Sequence, residues 1–289
     1  MKNILSFTVI LLIISLISCN TNRYVYSASA PNNPYFTKKG DSKLTAYYSS
    51  TGRNSGTASD LSSTMSTKGY SNGWDLQGGY ATGNHLSIVA GYYNKREKDI
   101  YDQSANFSPF NSSIVKYKRN LFETGAGYFV ALNHKKTITF NVYGGAGMGK
   151  FSFEDNGIDK NNLSYSRYHR ASISKWYLQP SFNFMPGNYI RLSLVLKYSF
   201  VHYGNIQTSY TSEELKDFSL DGIANKTLGF YEPSENIQFG LPKYPWIKFD
   251  FTLSSVIGLD PMYTVAIRHV NSSIGLNIDF SKLKKRSVY

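Results

Sequence analysis

The chain has 289 residues and a net charge of +12, with 41% hydrophobic and 16% aromatic residues. A single cysteine excludes an internal disulfide, and a mean hydropathy of -0.33 leaves no apolar run long enough for a membrane-crossing helix beyond the N-terminus. The 24 Tyr, 18 Phe and 23 Gly favour strands over helices.

The first element is a secretory signal. Met1-Lys2-Asn3 supplies a positive charge, and Ile4 to Ile17 is an almost unbroken apolar run, too short to span a membrane as a helix. The run ends at Leu16-Ile17-Ser18-Cys19, which resembles the lipobox of bacterial lipoproteins. That resemblance implies cleavage before Cys19 and acylation of its thiol. Residues 20–42, rich in Asn, Ser, Pro and Tyr, have no period and read as an extended linker.

Beyond them, strands are expected near 43–50, 70–81, 85–93, 118–131, 137–150, 170–184, 189–203, 228–240, 246–257 and 271–280. The period of two is plain in 190–200, where Ile190, Leu192, Leu194, Leu196 and Tyr198 alternate with Arg191, Ser193, Lys197 and Ser199. Four connections are tight: Thr82-Gly83-Asn84, Asn133 to Lys136, Met185 to Asn188 and Leu241 to Pro245. Between them lie the long polar stretches 51–69, 94–117, 151–169, 204–227 and 258–270. Short and long connections alternate throughout, as in membrane barrels with short turns on one side and long loops on the other.

On this pattern the chain resembles small outer-membrane β-barrel proteins of Gram-negative bacteria, lipidated at the N-terminus. The fold class is all-β, a transmembrane antiparallel up-and-down barrel of about ten strands, with eight as the alternative. The expected division is a lipoprotein signal peptide (1–18), an acylated Cys19 with a periplasmic tether (19–42), the barrel (43–280) and a basic tail (281–289). The resemblance implies the outer membrane as location, with lipid, lipopolysaccharide or an envelope protein as partner and no nucleic acid.

Candidate chemistry is sparse. Gly144 to Phe151 approaches a P-loop, but Phe151 stands where magnesium needs Ser or Thr. The glycines read better as room for large neighbours in a strand. The histidines His85, His134, His169, His202 and His269 have no metal spacing. Parity turns His169 inward and His202 outward, which argues against a dyad. Asp155, Asp159, Glu213, Glu214 and Asp217 fall in outer loops, where a surface hydrolase would need acids. No cofactor, metal or catalytic residue is nominated.

Parity sends Asp75, Glu123, Lys175, Arg191, Lys197, Lys248, Asp250 and Asp279 into the lumen. Buried charges of both signs require pairing or water, and in a small bore side chains usually fill the space. Lys95, Arg96, Lys98, Lys116, Lys118 and Arg119 are expected to form an external basic rim. The leading functional expectation is a non-enzymatic structural or interaction protein acting through external loops. A small pore or transport component is the alternative, and an outer-membrane hydrolase the third.

Overall fold

The strands close on themselves. In a computed structural model, which describes residues 23–51, 67–101, 110–187, 189–224, 226–259 and 265–283, ten antiparallel strands form one barrel in up-and-down order. They are β2 (Ser42–Thr51), β3 (Thr67–Ala81), β4 (Leu86–Tyr101), β5 (Phe110–Ala131), β6 (Ile138–Asp159), β7 (Ser164–Phe184), β8 (Ile190–Thr208), β9 (Thr227–Leu241), β10 (Tyr244–Ser255) and β13 (Val270–Asp279). The seam pairs the first and last of these, with Thr51 opposite Asn271 and Lys43 opposite Asp279. The extra strands are short. β1 (Tyr24–Ser27) pairs in parallel with β12 (Ala266–Arg268), and β11 (Ile257–Gly258) prolongs the edge along β9. No described helix is long and apolar enough to cross a membrane.

Side-chain alternation explains why the sheet closes. Leu192, Leu194, Phe249, Phe251, Leu276 and Ile278 point outward, while Arg191, Ser193, Lys248, Asp250 and Asn277 on the same strands are buried inside. An apolar exterior and polar interior suit a barrel in lipid. Tyr80, Tyr128, Phe184, Tyr189 and Tyr244 ring the end that carries the tight turns, as expected of an interfacial girdle. Glu235 is an exception on the outer face. It lies opposite Leu194 on one side and Leu253 on the other.

The strands are longer than their alternation suggested. β4, β5, β6 and β7 absorb most of 94–117 and 151–169, leaving 102–109 and 160–163 between them. β6 has 22 residues. Such a strand rises about 70 Å along its axis, and at a tilt of about 40° it spans roughly twice the ~25 Å lipid band. The barrel therefore continues well above the membrane on its loop side.

In that extension the facing of polar and apolar residues reverses. Val115, Tyr117, Phe151, Phe153 and Ile173 are buried inside, whereas Lys116, Lys118, Lys150 and Glu154 are exposed outside. Water has replaced lipid on the outer surface, so the apolar face must turn inward. The near P-loop at 144–151 is the middle of β6. A Cβ on Gly145 would come within 2.6 Å of the Tyr177 ring and 2.2 Å of the Thr124 carbonyl, so the glycine makes room for Tyr177.

The C-terminal strand ends at Asp279, followed by one helical turn, Phe280–Leu283. Most of the basic tail lies outside the described residues.

Candidate functional site

The bore is occupied by the chain itself. Residues 23–36 run along the barrel axis, and nearly all of them are buried. Arg23 lies at the loop end, among Ser113, Asp155 and Phe218. Phe36 lies at the turn end, packed with Ala81 and Phe129. The expected periplasmic tether is therefore corrected from Arg23 onward: the segment is a lumenal plug. An aperiodic polar segment looks the same in sequence whether it hangs in water or lies in a polar bore, so nothing in its pattern distinguished the two.

The wall grips this plug by its backbone as well as by its side chains. Tyr203 donates its hydroxyl to the Val25 carbonyl at 2.8 Å, and Arg119 reaches the same oxygen at 3.1 Å. Lys95 donates to the Ala28 carbonyl. Gln77 donates to Ala30 at 2.7 Å, Gln179 to Asn32 at 2.9 Å and Arg191 to Asn33 at 3.3 Å. An extended segment exposes its carbonyls, and buried ones need partners. The side chains here are small, Ser27-Ala28-Ser29-Ala30, which leaves room for the wall to reach in.

Charges are stacked in tiers. In the middle tier Glu123 accepts from Lys175 at 2.9 Å and from Lys197 at 2.7 Å. Lys175 also meets Glu232 at 3.3 Å and the plug's Tyr26 hydroxyl at 2.7 Å. Nearer the loop end, Arg268 bridges Glu97 at 3.0 Å and Asp99 at 2.8 Å. At the top, Arg23 holds Asp155 at 2.6 Å, with both side chains fully buried. Asp155 also accepts from Tyr210 at 2.6 Å and Tyr165 at 3.2 Å. Burial, and then the Asp155 charge, hold the Tyr210 hydroxyl well above its usual range.

Above this clamp, Phe218, Leu220 and Ile223 bury themselves over the loop end. The single-turn helix Ser212–Asp217 in the same loop carries a capping box between Thr211 and Glu214. Glu214 also pairs with Arg167 at 3.2 Å. Asp155 and Glu214, two of the acids weighed for hydrolysis, are thus held in structural pairs. His169 is buried and stacks on Phe153, and His202 is exposed. Among the described residues, no cluster of three His, Cys, Asp or Glu is placed to hold a metal.

The other lumenal residues read from the sequence are also inside. Asp279 pairs with Lys43 at 2.7 Å. Asp250 accepts from Asn236 and Gln238. Asp75 and Lys248 are buried in the wall. The external basic rim divides: Arg96, Lys98, Lys116 and Lys118 face outward, whereas Lys95 and Arg119 face the bore and bind the plug. Lys95 was misread because 94–117 was taken as loop, where parity has no meaning; Arg119 opens the expected strand 118–131, where parity with Glu123 already turns it inward. Lys43, Glu232, Glu97, Asp99 and Arg268 were missed. Extending strand parity through 94–101 would have placed Glu97 and Asp99 inside. Cys19 lies outside the described residues.

Comparison with solved structures gives the same architecture. The translocator domain of the autotransporter NalP from Neisseria meningitidis matches at a TM-score of 0.50 and 11% identity, covering 83% of this chain and 88% of that one. The fold is that of an outer-membrane barrel. The outer membrane protease OmpT from Escherichia coli matches at a TM-score of 0.42 and 9% identity, over 86% and 99% of the two chains. Ail, the attachment invasion locus protein of Yersinia pestis, matches at 0.29 and 15%, over 59% and 92%. A fold of this kind does not by itself select a function. No family model and no curated protein matches the chain.

Proposed function

We propose that this barrel is a sealed, non-enzymatic outer-membrane protein that holds its own N-terminal segment through the bore and acts through its loop face. The observation that carries this reading is the plug itself, buried from Arg23 to Phe36 and hydrogen-bonded to the wall along its length. Short turns mark the periplasmic end of such barrels, so the segment runs outward toward its N-terminus.

Acylation at Cys19 belongs to the same reading, with the side of the membrane reversed. Cys19 precedes Arg23 by four residues, at most about 14 Å of extended chain. An acyl group there is tied to the loop end of the barrel and not to the periplasmic end. The signal peptide before it supplies export.

Two measurements test this. The purified protein should be silent in single-channel recording, and steady conductance would favour a small pore. An epitope inserted after Asn20 should be accessible to antibody on intact cells, and palmitate labelling should be lost in Cys19→Ala. An epitope reached only after permeabilisation would overturn the outward course.

A further inference from the structure

The outer surface of the extension carries a feature that the sealed bore does not use. Six cations face outward on four adjacent strands: Arg96 and Lys98 on β4, Lys116 and Lys118 on β5, Lys150 on β6 and Arg170 on β7. The register aligns them in rows. Arg96 lies opposite Lys118, which lies opposite Ser152, which lies opposite Arg170. One row up, Lys98 lies opposite Lys116. One row down, Asn120 lies opposite Lys150. Glu154, opposite Lys116, is the acid among these rows.

Two observations say that the patch awaits an anion. Like charges directly opposed across a sheet are destabilising, yet Arg96 with Lys118 and Lys98 with Lys116 are such pairs. None of the six cations forms any of the ion pairs found among the described residues, although the lumenal Lys and Arg nearby mostly do. Arg170 lies over the Tyr168 ring at 5.1 Å, where its guanidinium meets an aromatic face and not a carboxylate.

The height of the patch names the anion. The row just below Asn94, Asn120 and Lys150 is Tyr92, Phe122 and Met148, where the continuous outward apolar surface of these strands ends; Ile114 and Ile158 recur singly above the basic rows. The cations therefore begin about one side-chain repeat, some 7 Å of strand, above the hydrocarbon. That is headgroup depth in the outer leaflet, where the anionic groups are lipid phosphates.

We infer that the outward face of β4–β7 is a binding site for a phosphorylated glycolipid of the outer leaflet. Arg96, Lys118, Lys150 and Arg170 hold its phosphates, and Tyr92, Phe122 and Met148 lie against its acyl chains. The apolar row and the basic rows together match one amphipathic ligand, whereas an acidic protein would have no use for the chains' part of the surface.

The test is native mass spectrometry of the full-length protein in detergent, with lipid A bearing two phosphates and with the same lipid dephosphorylated. The protein should retain the bisphosphate form at least tenfold better than the dephosphorylated one. The variant Arg96→Gln, Lys118→Gln, Lys150→Gln, Arg170→Gln should lose that preference while still running as a folded, heat-modifiable barrel. A control variant of equal charge change, Lys38→Gln, Lys135→Gln, Lys136→Gln, Lys243→Gln at the turn end, should keep it. If both variants bind equally, net charge and not the patch is responsible. If the native protein shows no phosphate preference, the proposal fails and an acidic protein becomes the occupant to seek. A quadruple variant that does not fold would be replaced by Arg96→Gln with Lys118→Gln, for which an undiminished preference counts against the site.

Discussion

A cross-section through Lys175 and one through Phe153 belong to the same barrel but to two kinds of protein. At Lys175 the outer surface is apolar and the interior is salt-bridged, with Glu123, Lys197 and Glu232 meeting around the plug's Tyr26. At Phe153 the outer surface is polar, and the interior is a continuous apolar cluster. Phe151, Phe153, Tyr117 and Tyr203 are joined there by Val25, Phe218 and Ile223. Toward the turn end the buried apolar groups shrink to two small clusters, Phe36 with Ala81 and Phe129, and Val89 with Tyr143 and Tyr177. One β-sheet thus spans two solvents, and its sequence switches sides where the solvent changes. Stability in the extension rests on an apolar core with the Arg23–Asp155 and Arg268–Glu97 pairs set into it. Within the membrane band it rests on polar satisfaction.

The sharpest way to break this comparison is at the upper clamp. Asp155→Asn leaves Arg23 buried without its counter-charge and should cost about 3–5 kcal/mol, measured by urea unfolding of the refolded barrel in detergent. A loss below 1 kcal/mol would mean that the clamp is hydrated. Next comes the apolar cluster, where Phe153→Ala should cost about 3 kcal/mol or more in the same assay, against little change if the loop-side interior were wet. Leu276→Arg, between Phe249 and Ala46 on the outer face, should cost about 2–4 kcal/mol if it lies at the bilayer midplane. Asn156→Arg, outward above the band between Ile114 and Ser166, should stay within about 0.5 kcal/mol. Equal effects would erase the boundary between the two zones. The smallest effect belongs to the turn end. Asn183→Ala removes contacts to Asn33 at 2.9 Å and Ser193 at 2.7 Å and should cost about 1–2 kcal/mol.

The same boundary explains what could be read from the sequence. Where lipid surrounds the barrel, the alternation Leu192, Leu194, Leu196 against Arg191, Ser193, Lys197 is strong. It carried both the strand and the inward charges. In 94–101 the outward residues Asn94, Arg96 and Lys98 are polar because they face water. The inward Lys95, Glu97 and Asp99 are polar because they bind the plug and Arg268. With both faces polar, the stretch looked like a loop. The plug was hidden for a related reason. Its partners come from strands 46 to 242 residues away, such as Gly78 for Asn32, Tyr203 for Val25 and Ala266 for Tyr24, and a single sequence carries no trace of such contacts. The legible part was the part whose environment repeats every two residues.

The plug also fixes the order in which the molecule can be made. A chain that runs through a ring closed by its own later residues is a lasso. Arg23, clamped to Asp155 beneath Phe218 and Ile223, is a bulky, charged group on that lasso's tail. Pushing it through a finished ring would mean stripping a guanidinium of water and breaking the Lys43–Asp279 and Lys175–Glu123–Lys197 pairs along the way. The seam between β2 and β13, which joins residues more than 220 positions apart, therefore has to close last, around a segment already laid against the open sheet. Barrels refolded from denaturant should divide between threaded and unthreaded rings. The two share a strand count and differ in topology, and only opening the seam converts one into the other.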